Sequence, residues 1–451
     1  MVSNSGEMYS DKVFEFLKKH DIKVGDKIKV KSKELDLDGE LMPKTEVGNP
    51  NTIVVKLENG YNIGVDYSKD LSIKKISSGK SEISFPKAKL KEQKGLPEVS
   101  LIYTGGTIGS KVDYKTGGVY TLTKPEELLY EVPELSDIAN LKVEQLFSVW
   151  SEDMSYMEWQ QMAKAVANSL NRGSHGVVLT MGTDTMHYAS AALSFMLQNL
   201  NAPVVITGAQ RSSDRGSSDA FFNLACATQL AAKSDIAEVG ICMHWSSSDN
   251  ECAFIRGTKV RKMHSSRRDA FRAINDRPIA FVGNNLEIRY KGEYKKAEHS
   301  RKKVEVKQNF EEKVALIKIY PNSDPEIIDF YVGKNYKGII LEGTGLGHAP
   351  VSTAHGNLLW LPAIKRALDR GLIVGITSQT IYGRVHKNVY STARILSNAG
   401  VVYCEDMHPE TALIKLSWLL GNYKKEKARD LLANNLVGEI KPRTDYDQIF
   451  I

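Results

Sequence analysis

Cysteine is scarce in this chain, with four among 451 residues, Cys226, Cys242, Cys252 and Cys404, and no CxxC pair. Their apolar surroundings point to buried, reduced thiols and argue against a disulfide framework or a structural zinc site. Charge imbalance is also small: the net +6 is compatible with an acidic partner but does not define one. The basic residues bunch in "KVRKMHSSRRDAFR" and "RYKGEYKKAEHSRKKVEVK", and such runs commonly form solvated faces. No charge-free apolar run is long enough to cross a bilayer, and "MVSNSGEMYSDK" lacks the basic and apolar regions of a signal peptide. A cytoplasmic protein without membrane contact is therefore expected. The 42% apolar and 25% charged fractions are those of a folded chain, and the length exceeds what one ordinary core organises.

Three regions are expected. Residues 9–20, "YSDKVFEFLKKH", set Val13, Phe14, Phe16 and Leu17 on a short amphipathic helix. After it, "DKIKVKS", "DGELMPKTEVG", "NTIVVKLENGYNIGVDY" and "LSIKKI" read as short strands of a small β-barrel-like domain, with "ENG" as a hairpin turn. The charged "SFPKAKLKEQKGLP" reads as a linker. From about residue 97 the pattern becomes strand, glycine-rich turn, helix. "EVSLIYTGG", "GVVLTMG", "APVVITGA" and "EVGICMHW" are buried-strand candidates, and Met186, Ala189, Leu193, Met196 and Leu200 recur at helical spacing. This alternation argues for an α/β fold with parallel sheets. A lysine-rich hinge precedes "VALIKIY", "GIILEGTG", "LIVGITSQT" and "VVYCED", a second, smaller α/β domain. The boundaries read as a β-rich accessory domain over 1–85, a linker over 86–96, a catalytic α/β domain over 97–290, a linker over 291–312 and the smaller domain over 313–451.

Ligands of parallel α/β sheets sit beyond the carboxyl ends of the strands. The first such end, "TGGTIGS", has neither the terminal Lys-Ser/Thr of a Walker loop nor the GxGxxG that opens a dinucleotide-binding helix. Its glycines instead suit close approach of backbone to a small substrate, with amide donors for a developing oxyanion. The second end, "LTMGTDTMHYAS", clusters Thr183, Asp184 and Thr185 at a helix start, which taken alone is an N-cap. A threonine is a weak nucleophile unless a neighbour takes its proton, and Asp184 with a lysine could form that relay. The turn "GTGLGHAP" lacks a following helix start and acidic partner, and His175, His187, His244, His264 and His348 show no metal-ligand spacing. No metal site is expected.

"TGGTIGS" together with "GTDTM", "SEDM", "ITGAQRSSDRGSSDAFFNL" and "KMHSSRRDAF" resembles the bacterial-type L-asparaginase family of amidohydrolases, from residue 97 to about 440. The resemblance implies that Thr107 is the nucleophile, that Tyr120 or its competitor Tyr114 polarises it, and that Thr183, Asp184 and Lys262 form a second triad, with Thr183 activating water on the oxyanion side. It further implies that Gly106 and Gly182 supply backbone donors, that Ser151 holds the substrate α-carboxylate and Asp184 its α-ammonium, and that the fold forms a homodimer. Glu152 stands where many relatives carry a neutral residue and would add negative charge beside the ammonium pocket. Either glutamine or asparagine could be the amide donor.

The additional β-rich segment in front, together with "IYTGGTIGSKVDYKTGGVY", "KPEELLYEVPEL" and "EGTGLGHAP", makes nearly the whole chain resemble the D-subunit family of archaeal tRNA-dependent amidotransferases. That resemblance implies ammonia delivery to a partner E subunit that binds Glu-tRNA(Gln). ATP and Mg2+ would serve the partner, with no cofactor on this chain and tRNA(Gln) met only through the complex. A free-standing asparaginase with an accessory β-domain, and a non-catalytic tRNA-binding or assembly protein, are the other readings.

Overall fold

The computed structural model describes residues 9–32, 35–42, 49–57, 62–68, 70–78, 93–106, 108, 110–112, 119–121, 132, 134–212, 218–298, 302–352 and 359–444. The chain forms two compact units, one of residues 1–89 with segments 109–122 and 212–218, the other of the remainder.

In the first unit a nine-residue helix, Asp11–Lys19, precedes five antiparallel strands: Lys27–Lys31, Asp36–Leu41, Thr52–Lys56, Asn62–Asp66 and Ser72–Ser77. Strict alternation puts Ile28 and Val30 inward while Lys29 and Lys31 face water. The last strand pairs back onto the first, and Val13 and Leu17, four residues apart on the helix, join this core. Phe14, grouped with them by the sequence pattern, is exposed, because one position along the helix turns it about 100° away. The ladder runs fourth, third, second, first, fifth; among the described residues no pairing closes it between Asn62–Asp66 and Ser72–Ser77. The "ENG" turn and most of the expected linker fall outside the described residues.

The second unit is built on an eight-stranded sheet. Five neighbours run parallel: Asn140–Gln145, Glu98–Tyr103, Gly176–Thr180, Val204–Thr207 and Val239–His244. The near-continuous apolar runs of the inner four follow from helices covering both faces, whereas the edge strand Asn140–Gln145 is largely polar. Tyr156–Asn171, started by the Ser155–Glu158 capping box, and Met186–Met196 cover one face, and Ala220–Lys233 the other. The sheet is mixed, because Glu251–Arg256, Ala280–Gly283 and Ile288–Tyr290 extend it antiparallel from Val239–His244.

Beyond residue 313, the strands Val314–Lys318, Gly338–Gly343, Ile373–Ser378 and Val402–Tyr403 form a wholly parallel four-stranded sheet. Its last long helix, Pro409–Asn422, lies on Met186–Met196, where Trp418 stacks on Phe195 with ring centroids 5.6 Å apart. One apolar core therefore runs through both α/β parts. The segment between them is tied down: Glu305–Val306 pairs with Leu197–Gln198, and Val304 N donates to Asn171 Oδ1 at 2.9 Å. "GTGLGHAP" closes on itself as a turn through a Thr344–His348 bridge. All four cysteines are buried free thiols. Among the described residues no helix is long and apolar enough to cross a membrane.

Candidate active site

Parallel strands carry their following turns to one edge of the sheet, and three neighbouring turns meet there. Val149 N donates to Thr104 O at 3.1 Å, and Thr104 donates to Thr180 O from both its N and its Oγ1, at 3.1 and 2.8 Å. Gly105 has φ +109°, and a Cβ there would sit 2.6 Å from Val149 O. Gly106 has φ +88°, and its Cβ would overlap Gly182 N and come within 2.5 Å of Met181 C. Gly182 in turn leaves 2.8 Å between a built Cβ and Ser151 Cβ. Positive φ and this crowding make glycine necessary in the first turn. After Ile108 the chain enters the strand Ser110–Val112, paired with Val119–Thr121. Among the described residues no α-helix follows the glycine turn before this strand pair, so none supplies the helix N-terminus on which a phosphate commonly sits.

Thr107, Gly109 and Tyr114 lie outside the described residues. Tyr120 pairs with Lys111 along the backbone; its side chain also lies outside them.

The second turn shows that Thr183, Asp184 and Thr185 do more than cap a helix. Thr185 occupies the N-cap position of Met186–Met196 without a side-chain cap bond; its hydroxyl donates instead to Ser151 O at 2.6 Å. Lys262 Nζ donates to Thr183 Oγ1 at 2.8 Å and to Asp184 Oδ1 at 2.6 Å. The lysine reaches them from the end of the strand Val260–Lys262, which is held by antiparallel pairing with Phe271–Ala273. Its side chain is 8% exposed, whereas that of Asp184 is 65% exposed, so the trio joins a sheltered cation to a carboxylate open to a ligand. Because Thr183 Oγ1 accepts from Lys262, its own proton is free to point elsewhere, as an oxyanion or water donor requires.

Ser151 lies buried at the start of the short turn Ser151–Asp153, and its hydroxyl makes a long 3.3 Å bond to Glu152 Oε2. Glu152 itself is exposed. The structure therefore brings together Gly106, Ser151, Glu152, Gly182, Thr183, Asp184 and Lys262 among the residues named from sequence.

Groups to which no motif gave a role lie there as well. Arg261 Nε donates to Glu410 Oε1 at 2.7 Å, and His408 Nδ1 lies 3.0 Å from Glu410 Oε2. Burial disfavours the Glu410 charge, yet the His408 bond and the Arg261 guanidinium hold its carboxyl below the usual carboxylate range. His187, in the first turn of Met186–Met196, has a buried Nδ1 with no hydrogen-bond partner among the described residues. Its burial pushes the imidazole down to about 3, although Glu410 favours the charged form. Adjacency of His187 to the "TDT" turn was the available signal; for Glu410, 149 positions from Arg261, there was none. Among the described residues no group of three His, Cys, Asp or Glu side chains is placed to hold a metal.

The five parallel strands of the mixed sheet, their carboxyl-edge turns and the Thr183–Asp184–Lys262 contact define an asparaginase-type α/β protein. Residues 98–294 match the family "Asparaginase, N-terminal", residues 313–432 the "Glutaminase/Asparaginase C-terminal domain", and residues 22–76 the "GatD N-terminal domain". Among solved structures, the thermostable L-asparaginase from Thermococcus kodakarensis is 28% identical with a TM-score of 0.67, covering 77% of this chain and 100% of its own. L-asparaginase I from Vibrio cholerae is 30% identical with the same score and coverages. Similarity over the whole chain is higher. The glutamyl-tRNA(Gln) amidotransferase D subunit of Pyrococcus abyssi is 50% identical, covering 97% of this chain and 99% of its own; that of Methanothermobacter thermautotrophicus is 44% identical, covering 97% and 98%. The chain belongs to the family of glutamyl-tRNA(Gln) amidotransferase D subunits.

Proposed function

We propose that this chain is the amide-splitting component of a tRNA-dependent amidotransferase. It releases ammonia from glutamine or asparagine and supplies it to a partner E subunit that converts Glu-tRNA(Gln) to Gln-tRNA(Gln). The observation that carries this reading is the Lys262 contact with Thr183 and Asp184, in a chain similar over nearly its full length to D subunits.

In this mechanism Thr107 attacks the side-chain amide carbonyl. A C–O bond forms, the C–N bond breaks, and the nitrogen takes the hydroxyl proton and leaves as ammonia. Tyr120, with Tyr114 as the competitor, polarises Thr107. Water then hydrolyses the acyl-enzyme, giving the free acid and restoring the threonine hydroxyl. Lys262, bonded to Thr183, frees the Thr183 proton for water or oxyanion, while backbone at Gly106 and Gly182 supplies further donors. Ser151 takes the α-carboxylate, and the open carboxylate of Asp184, with Glu152 nearby, takes the α-ammonium.

ATP and Mg2+ belong to the partner in this reading, and this chain binds no cofactor. It works in the cytoplasm, as a homodimer through its asparaginase-like domains, and meets tRNA(Gln) through the complex. The likeness to free L-asparaginases favours one other reading, a self-sufficient asparaginase. Ammonia release by the chain alone, and with partner and charged tRNA added, separates the two: the amidotransferase reading requires a rise on addition.

A further inference from the structure

The helix Pro409–Asn422 touches both elements that deliver the Thr183–Asp184–Lys262 contact. Its body packs on Met186–Met196, the helix that begins directly after Thr185. Its first turn grips the strand that ends in Lys262. Successive side chains of a strand alternate faces, and the positions alternating with Val260 and Lys262 are bound to the segment entering this helix. Lys259 Nζ meets Asp406 Oδ2 at 2.7 Å, with side chains 1% and 3% exposed, and Arg261 Nε meets Glu410 Oε1 at 2.7 Å. The same helix turn also fixes the chain before the strand, since Thr411 Oγ1 donates to Thr258 O at 3.0 Å. Glu410 is the hub of the arrangement, because its second oxygen is engaged by His408 while its first holds Arg261.

We propose that Glu410 is a positioning residue for Lys262. By holding Arg261 on one face of the strand, it fixes where Lys262 leaves the opposite face and so keeps Nζ within reach of both Thr183 and Asp184. The C-terminal α/β part thereby completes the geometry of a site whose reacting groups lie elsewhere in the chain. A lysine ammonium on a four-carbon stem has many rotamers to lose, so a fixed strand is what makes its double contact reproducible. The inference rests on the amide-splitting reading above.

The test uses the full chain in complex with its partner and follows ammonia release from glutamine for Glu410→Gln, Lys262→Ala and the double variant. Glu410→Gln is expected to lower kcat by about tenfold or more while KM for glutamine stays within about threefold, the pattern of an interaction made in the transition state. If Glu410 acts through Lys262, adding Glu410→Gln to Lys262→Ala costs less than about twofold more. A kcat loss below about threefold in the single variant, or full additivity in the double one, overturns the proposal. Should Glu410→Gln not fold, Arg261→Gln breaks the same pair from its 31% exposed side and must show the same kcat loss and the same lack of additivity. Wild-type turnover in Lys262→Ala would instead sink the reading of the site on which the proposal rests.

Discussion

Gly106 is packed against the backbone of Gly182, with φ +88° and no room for a Cβ beside the Gly182 nitrogen. This contact joins the turn that precedes Thr107 to the turn that carries Thr183. Gly106→Ala combines a disfavoured backbone region with a backbone clash, so it should cost about 2 kcal/mol or more in stability. It should also lower turnover of the protein that remains folded. Urea titration together with glutaminase assay checks both; unchanged values would mean that the two turns can separate freely.

Lys262→Ala removes the donor shared by Thr183 and Asp184. Turnover should fall by about a hundredfold or more, as loss of one member of a catalytic unit commonly does. Steady-state kinetics at saturating glutamine measures it, and a loss smaller than about tenfold would indicate a structural lysine.

His187 makes stability depend on pH in the acid direction. Its folded-state pKa is pushed down to about 3 by burial, against an ordinary value of 6.5. Between those values the unfolded chain binds a proton that the folded chain does not, so stability falls as pH drops from about 6.5 toward 3. One such group contributes a slope of up to about 1.4 kcal/mol per pH unit. Denaturant unfolding between pH 7 and 4 should be less acid-sensitive in His187→Gln, and equal slopes in the two proteins would refute the assignment.

Trp418 stacks on Phe195 where the helix Pro409–Asn422 meets the larger sheet's helical layer. Trp418→Ala should cost about 3–5 kcal/mol, the usual loss for a large buried aromatic. Because one core spans both parts, calorimetry should show one cooperative transition for the two α/β parts, shifted down as a whole. Two transitions, only one of them shifted, would mean that the parts fold separately.

The buried strands were legible in the sequence because burial on both faces writes a near-continuous apolar run, as in Glu98–Tyr103 and Gly176–Thr180. Glu251–Arg256 was not, since its two charged ends hide a four-residue buried centre in a stretch full of serine and aspartate. The hydroxyl-rich strand end at Thr183 and Asp184 could be found from residue types and position. Lys262 could be named only through family resemblance, because 79 positions separate it from Thr183 and a lone lysine carries no local signature. Arg261 and Glu410 were invisible for the same reason: their meaning arises when the helix Pro409–Asn422 returns to the strand carrying Lys262.

The most direct test of the account is ammonia release from glutamine by the wild-type chain and by Thr107→Ala, each with and without the E subunit and Glu-tRNA(Gln). Wild-type release should rise when both are added, and Thr107→Ala should bind the partner normally but release no ammonia under any condition. Wild-type release that is indifferent to partner and tRNA, or a Thr107→Ala variant that turns over normally, would contradict it.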